Sequence, residues 1–534
     1  MPTKRDAVII GGGHNGLVAA FYLAKSGLKP LVLERRSVVG GAAVTEEFHP
    51  GFKCPALAHS TGPLRPEIVH DMQLERHGLE MIPSAASVTA LADEGRGLAL
   101  SSDITKSCSA IAAFSKRDAE KFAEFHRVLQ RLAQAIGPLL IETPPSIDEP
   151  SKSDLWNLLK TGRRVRGLGE RDMYRLMRWV PMPVADLVGE WFESELLKAT
   201  IAARAIFGTH LGPASLGSSS VLLLRAASDP HPTGSAPVPR GGAGALTQAL
   251  AAAASAAGAE IRTGADVASI AVKDGEAEGV VLASGAEISA ALVISNADPR
   301  RTFLGLVGPL HLDPSFVVKL RNYRCTGCVA KVNLALSGLP AFTALKPGKN
   351  GDAALSGRIH IGPTLEYLER AFDDAKYGAP SRQPMLEISI PSVADSSLAP
   401  AGKHVMSVYV QFAPYKLKSG DWNSQREALG DTVVQTLAKH APHISSLILH
   451  REVITPLDLE ETYGLSGGHI FHGELSLDQL FTMRPLLGWA RYRTPITGLY
   501  LCGSGTHPGD GLTGASGRNA AREILKDWKS PPGK

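Results

Sequence analysis

Cysteine, net charge and long apolar runs are all scarce in this sequence, and each scarcity excludes a class of protein. Five of 534 residues are cysteine (Cys54, Cys108, Cys325, Cys328 and Cys502), and a sparse, odd set excludes the disulfide framework of a small secreted domain. No run approaches the roughly 18 uninterrupted apolar residues that a membrane-spanning helix needs, so no transmembrane segment is expected. The formal charge is only +4, and the short basic run Arg163, Arg164 and Arg166 reads as a solvated helix end rather than a nucleic-acid surface. No metal site is expected. The pair Cys325 and Cys328 has no second ligand pair at zinc spacing, and it precedes a strand-like run where a thioredoxin-type pair would open a helix. No apolar or Arg/Ser-rich leader precedes Ala7, which gives the expectation of a cytoplasmic bacterial protein.

What the sequence does contain is globular: 44% hydrophobic and 20% charged residues, in a chain long enough for two packed domains. Residues 7–10 (Ala-Val-Ile-Ile) read as a buried parallel strand ended by glycine. Gly11-Gly12-Gly13-His14-Asn15-Gly16 follows and matches G-x-G-x-x-G. An amphipathic helix pattern (Leu17, Ala20, Phe21, Leu23, Ala24) stops at Gly27, and a second apolar run, 31–33, ends on Glu34. In such a unit Gly11 permits the tight turn, Gly13 lets backbone approach a pyrophosphate, and Gly16 seats the helix on the sheet. The helix N-terminus attracts the phosphates, and an acid at the Glu34 position binds ribose hydroxyls. Alone, this unit leaves FAD and NAD open.

The far end repeats the logic. Residues 498–503 form a short apolar strand, followed by the loop Ser504-Gly505-Thr506-His507-Pro508-Gly509-Asp510-Gly511 and a helix from about Thr513. This segment resembles the carotenoid oxidoreductase signature through Tyr500 to Gly503, Thr506, Pro508-Gly509, Gly511, Gly514 and Gly517-Arg518-Asn519-Ala520. Arg35-Arg36-Ser37-Val38-Val39-Gly40-Gly41 resembles the second motif of amine oxidase and phytoene desaturase flavoproteins; Ala42 stands where those families often carry Arg, with Arg36 as the nearer substitute. With the cluster from Gly467 to Phe481 and Met483-Arg484-Pro485, the chain is similar to the pyridine nucleotide-disulfide oxidoreductase domain-containing protein 2 group, within the phytoene desaturase-like flavoproteins. The resemblance implies non-covalent FAD, contacted by Gly11, Gly13, His14, Asn15, Gly16, Glu34, Arg35, Arg36, Gly40, Gly41, Ala42, Val267, Gly503, Asp510, Gly511 and Thr513. It also implies Lys331 on a strand facing flavin N5 through water, and it raises His472, with His469, as an acid/base group.

The implied fold is α/β: a Rossmann-type FAD-binding domain built from discontinuous segments (1–92, 235–310, 481–534) and an α+β substrate domain (helical 93–234, then 311–480 with a half-buried antiparallel sheet facing a cavity). Gly242-Ala243-Gly244 lacks a preceding apolar strand and the final glycine, so no second Rossmann unit is expected. Oxygen, a quinone or another carrier would then be the electron partner. The implied activity is removal of hydride from an apolar or amphipathic small molecule, with no nucleic-acid partner and with peripheral membrane contact left open. Two alternatives also stay open: a flavin amine oxidase, and a flavin-bearing regulatory or partner-binding protein.

Overall fold

Strand β1 (Arg5–Ile10) and strand β2 (Pro30–Leu33) pair in parallel across helix α1 (His14–Lys25), since a helical crossover returns the chain in the same direction. The computed structural model describes residues 5–58, 64–82, 88–92, 95–229, 238–345 and 354–529. The expected domain limits at 93, 234 and 235 lie outside those residues. Strands β3 (Val88–Leu91) and β4 (Gly97–Leu100) then leave for a second sheet. A helical stretch contains α2 (Lys116–Ile136), α3 (Lys152–Gly167), α4 (Glu170–Trp179), α5 (Val184–Trp191), α6 (Glu195–Ile206) and α7 (Ser218–Ser228). Helix α8 (Ala243–Ala256) and strands β5 (Glu260–Arg262), β6 (Val267–Lys273), β7 (Glu276–Leu282) and β8 (Glu287–Ser295) return to the first sheet.

The second sheet resumes with β9 (Val329–Leu336), β10 (Arg358–Ile361), β11 (Met385–Ser389) and β12 (His404–Gln411), then α9 (Trp422–His440) and β13 (Ile448–Ile454). Strand β14 (Leu499–Leu501) and helix α10 (Ala515–Lys529) end the described chain.

The first sheet runs β6-β7-β8-β1-β2-β5, with β14 also beside β8. The pairs β8–β1, β1–β2, β2–β5 and β8–β14 are parallel, and β6-β7-β8 is an antiparallel meander. Long β8 pairs with β7 through Ser289 and with β14 from Val293 onward, so the last strand docks where the meander departs. Both chain ends thereby meet on the first sheet, on either side of β8: α1 and α10 pack so closely that a Cβ on Gly517 would stand 2.1 Å from Asn15 O.

The second sheet runs β13-β9-β12-β11-β10-β3-β4. Within 311–480 every pairing is antiparallel, as expected, and Arg358, His360, Glu387 and Tyr409 line a cavity; β3, from far upstream, adds to β10 in parallel. One expectation needs correction. The central strands are not half-buried: all eight residues of β9 and all but His404 in β12 are buried. Helix α9 covers one face through Trp422, Leu429, Val433 and Leu437, while the hairpin that ends in the Phe52–Pro55 strand closes against the other. The polar alternates facing that hairpin bond internally; Asn333 Oδ1 accepts from Ser407 Oγ at 2.9 Å and from the Cys54 thiol at 3.2 Å.

The helical stretch packs by its aromatic residues. Phe125 of α2 meets Phe192 edge-on at 5.2 Å and Trp191 at 5.4 Å. Of the 173–191 stripe, Leu176, Trp179, Leu187 and Val188 are buried core.

Candidate active site

Local sequence builds the first wall. The chain leaves β1 at Gly11 (φ +94°), whose N–H donates to Leu33 O at 2.8 Å. Glycine alone adopts that turn at little cost. Gly13 precedes α1, and a Cβ on Gly16 would lie 2.4 Å from Gly11 O, so strand, turn and helix approach this closely only without side chains. The first-turn N–H groups of α1 lack intrahelical acceptors and favour an anion there. A second glycine turn lies against the first: Gly40 N–H donates to Gly12 O at 2.9 Å, and a Cβ on Gly41 would sit 3.5 Å from Gly13 Cα. Gly11, Gly13, His14, Gly40, Gly41 and Ala42 all line one cavity.

Glu34 is buried on the same cavity, its carboxylate accepting from Gly12 N–H at 2.8 Å and Arg36 N–H at 2.9 Å. Val267, at the start of β6, lines it too. Arg35 also borders the cavity but spends its guanidinium on the carbonyls of Glu461 and Thr462. Arg36 pairs with Glu46 and lies over the Tyr463 ring at 5.0 Å, leaving Nη1 buried with no hydrogen-bond partner. Such an orphaned donor beside a glycine cradle fits a phosphate-bearing ligand.

The C-terminal loop forms the adjoining wall through Ser504, Asp510 and Gly511. Three of the expected contacts stand behind this surface. Asn15 donates to Ser504 Oγ at 3.2 Å and accepts from Gly517 N–H at 3.3 Å, tying α1 to α10. Thr513 accepts from Ala515 N–H at 3.2 Å, so the helix begins two residues later than the sequence reading. Gly503 lies where a Cβ would be 2.6 Å from Asn296 O. Gly16 is likewise behind the surface, as its packing role requires.

Beyond the cradle the cavity continues between α2, α6 and β12. Phe122, Phe125 and Leu129 of α2, Ile201 of α6 and Tyr409 of β12 line it. Charged pairs also border it: Arg225 with Asp510 at 3.3 Å, and Arg358 with Glu387 at 3.1 Å. Arg204 donates to the carbonyls of Arg225 and Asp229, and burial lowers its pKa to about 10. Among the described residues no cluster of three or more metal-ligating side chains occurs, and Cys325 and Cys328 are buried thiols whose pKa burial raises.

His472 lines the cavity at φ +58°, its carbonyl held by Tyr323 OH at 2.8 Å. Its Nδ1 and His14 Nε2 are both buried without hydrogen-bond partners. Burial foremost, and then mutual proximity for His14, holds both imidazoles well below the usual histidine pKa. His469 is buried away from the cavity, with Nε2 3.5 Å from Glu474. Lys331 stands behind the cavity surface: its ammonium donates to Pro55 O and Leu57 O and lies 5.2 Å from the Tyr409 ring centre. Burial lowers its pKa to about 8.

Sequence reasoning named Arg484 in the Met483-Arg484-Pro485 run but gave it no role. It is fully buried, and its guanidinium donates to the carbonyls of Phe471 (2.8 Å), Glu474 (2.9 Å) and Ser504 (2.8 Å). It thereby clasps the loop carrying His472 to the loop carrying Ser504. The only signal in the sequence is an arginine before proline. Asn296 was given no role either; its Nδ2 donates to Gly11 O at 3.3 Å from the end of β8.

Comparison with known proteins extends this picture. The family described as flavin containing amine oxidoreductase matches residues 16–525. The rat protein named pyridine nucleotide-disulfide oxidoreductase domain-containing protein 2 is 41% identical over 98% of this chain and 94% of its own length. A limonene dehydrogenase polypeptide of Castellaniella defragrans is 27% identical over 98% of this chain and 96% of its own. A putrescine oxidase triple mutant shares the fold with a TM-score of 0.63 at 14% identity, covering 99% of each chain. The glycine-walled cavity drawn from both chain ends is thus accompanied by a match along nearly the whole length, and the chain belongs to the flavin containing amine oxidoreductase family as an FAD-dependent oxidoreductase.

Proposed function

We propose that this chain takes hydride from an apolar or amphipathic small molecule onto non-covalently held FAD, as a phytoene desaturase-like dehydrogenase or oxidase. The observation that carries the reading is the continuity of the cavity from the glycine cradle into a chamber walled by Phe122, Phe125, Leu129 and Ile201. FAD, when bound, supplies the hydride-accepting group.

The chain's own residues do the rest. Gly11, Gly13 and the start of α1 would hold the pyrophosphate, and Glu34 the ribose. The aromatic walls exclude water and orient a substrate whose apolar body they cover. The charged boundary at Arg204 and Arg358 suits a polar end, which favours an amphipathic molecule over a wholly apolar one. His14 and His472, kept neutral by burial, offer hydrogen bonds without adding charge. Lys331, through Pro55 O and Leu57 O, would position the segment whose Leu57 and Ala58 border the cavity. Burial pushes the Cys502 thiol well above its ordinary pKa, and Sγ points toward Asn296 Oδ1 at 3.9 Å, which favours a flavin held without a covalent tether. The limonene-named relative supports a largely apolar body for that substrate. A cytoplasmic setting and oxygen or a quinone as acceptor complete the proposal.

Anaerobic mixing of the yellow holoprotein with a panel of terpenes, polyenes, lipid alcohols and amines tests it. Bleaching of the flavin band by an apolar or amphipathic member, slowed by Phe125→Ser, is expected. Bleaching by amines alone would overturn it in favour of an amine oxidase. No bleaching by any compound, with partner binding unaltered in a flavin-free variant, would favour a regulatory protein.

A further inference from the structure

Helix α3 is built the wrong way round for a helix facing water. Its capping box, Ser151 with Asp154, starts it firmly. The residues turned toward the protein are Asp154, Asn157, Thr161 and Val165, at the spacing of one helical face. Asp154 is buried, and its carboxylate meets Arg491 at 2.7 Å, which pins the helix by a polar contact. Exposed in the first two turns, after Lys152 and Ser153, are Leu155, Trp156, Leu158 and Leu159, at 44% to 54%. Nearby, Tyr174 and Met177 of α4 are 59% and 64% exposed, one helical turn apart. Scattered exposed leucines are ordinary on any surface. Four large apolar side chains exposed within the five positions 155–159, on a helix whose inner face is largely polar, are not, and they mark a surface that something covers.

Charge indicates what covers it. The exposed charges on α3 are all basic: Lys152, Lys160, Arg163, Arg164 and Arg166. The one acid, Asp154, faces inward. Lys160 lies over the Trp156 ring at 5.6 Å, with its ammonium beside the apolar group. Leucine and tryptophan in the first half, followed by a cluster of arginines, is the composition of a helix lying in a membrane interface, apolar groups entering the acyl boundary and cations meeting headgroup phosphates. A second copy of the chain on the leucines would leave the cationic cluster of each copy without an anionic partner on α3, since its one acid faces inward. Among the described residues no helix is long and apolar enough to cross a membrane, so attachment would be to one leaflet.

We propose that α3, with Tyr174 and Met177 of α4, docks this protein on the surface of an anionic lipid bilayer. Helix α3 packs against α2, the helix whose Phe122, Phe125 and Leu129 line the chamber. A substrate dissolved in the bilayer would then be close to the chamber, although the docking itself does not depend on the proposed chemistry.

Sedimentation of the FAD-loaded protein with vesicles tests the proposal without any turnover. Wild type should sediment with vesicles of phosphatidylglycerol and phosphatidylcholine, and little with phosphatidylcholine alone. Leu155→Ser/Trp156→Ser should cut the bound fraction at least tenfold with the flavin spectrum unchanged. Each charge removed in Arg163→Gln, Arg164→Gln and Arg166→Gln should weaken partition roughly fivefold at low salt. No sedimentation with the anionic vesicles, or equal binding by wild type and both variants, would overturn it. A dimer in solution that dissociates in Leu155→Ser/Trp156→Ser, with no lipid binding, would assign the face to a second copy instead.

Discussion

Replacing Gly16 by alanine should separate the cradle from the rest of the fold. The added Cβ would lie 2.4 Å from Gly11 O and 3.1 Å from Asn296 Nδ2. The first neighbour is backbone, so it cannot swing aside, and ordinary contact requires about 3.4 Å or more. Helix α1 and the Gly11 turn must therefore part by about 1 Å. Overpacking of this kind costs roughly 1–3 kcal/mol of stability. The larger effect falls on ligand binding. A displacement of that size lengthens the charge-assisted hydrogen bonds from the helix start to a phosphate, each worth roughly 1.5–3 kcal/mol. Loss of two is at least about a hundredfold in FAD affinity. Gly27→Ala serves as the comparison: its φ of +94° makes alanine strained, yet nothing lies within 4 Å of the new Cβ. That variant should lose about 1 kcal/mol and keep its FAD. The assay is the flavin-to-protein absorbance ratio after gel filtration, alongside thermal melting. Stoichiometric flavin in Gly16→Ala would refute the assignment of this turn as the cofactor cradle.

Arg484→Met should lower stability by roughly 2–4 kcal/mol, because carbonyls of both clasped loops lose a buried cationic donor while the cost of burying that charge is also removed; an unchanged melting curve would show the clasp is dispensable. Lys331→Met should loosen the segment that borders the cavity at Leu57 and Ala58, because Pro55 O and Leu57 O lose their donor, and so raise severalfold the substrate concentration needed for half-maximal flavin reduction; an unchanged concentration dependence would show that the lysine does not position that segment. Acid should destabilise the fold as pH falls from about 6.5 toward 4. Burial pushes His360 and His507 down to about 4, so the unfolded chain takes up protons first and the stability present at neutral pH is lost across that window. Chemical denaturation at pH 7.5, 5.5 and 4.5 measures this, and a flat profile would contradict neutral buried histidines.

Local chemistry made much of the cradle legible before any coordinates. Gly11, Gly13, Gly16 and Glu34 are tied by covalent spacing of strand, turn and helix, and short-range geometry leaves them few alternatives. The strands β9, β11 and β12 were visible as apolar runs for the same reason. The burial of β9 and β12 on both faces was not, because the cover comes from α9 and from the Phe52–Pro55 strand, distant in sequence. The basic run Arg163 to Arg166 read as a solvated helix end; only the inward turn of Asp154 and Asn157 exposed the leucines before it.

The sequence by itself determined a dinucleotide-binding start, a matching glycine loop near the other end, and an α/β class, since each rests on contacts within some thirty residues. The tertiary structure decided which of those residues face a common cavity. Docking of β14 beside β8 brought the two glycine loops together; Arg484 fixed their spacing to His472; and packing of α2 and α6 against β12 made the chamber beyond. Those contacts join residues hundreds of positions apart, and no periodicity or spacing along the chain encodes which of them meet.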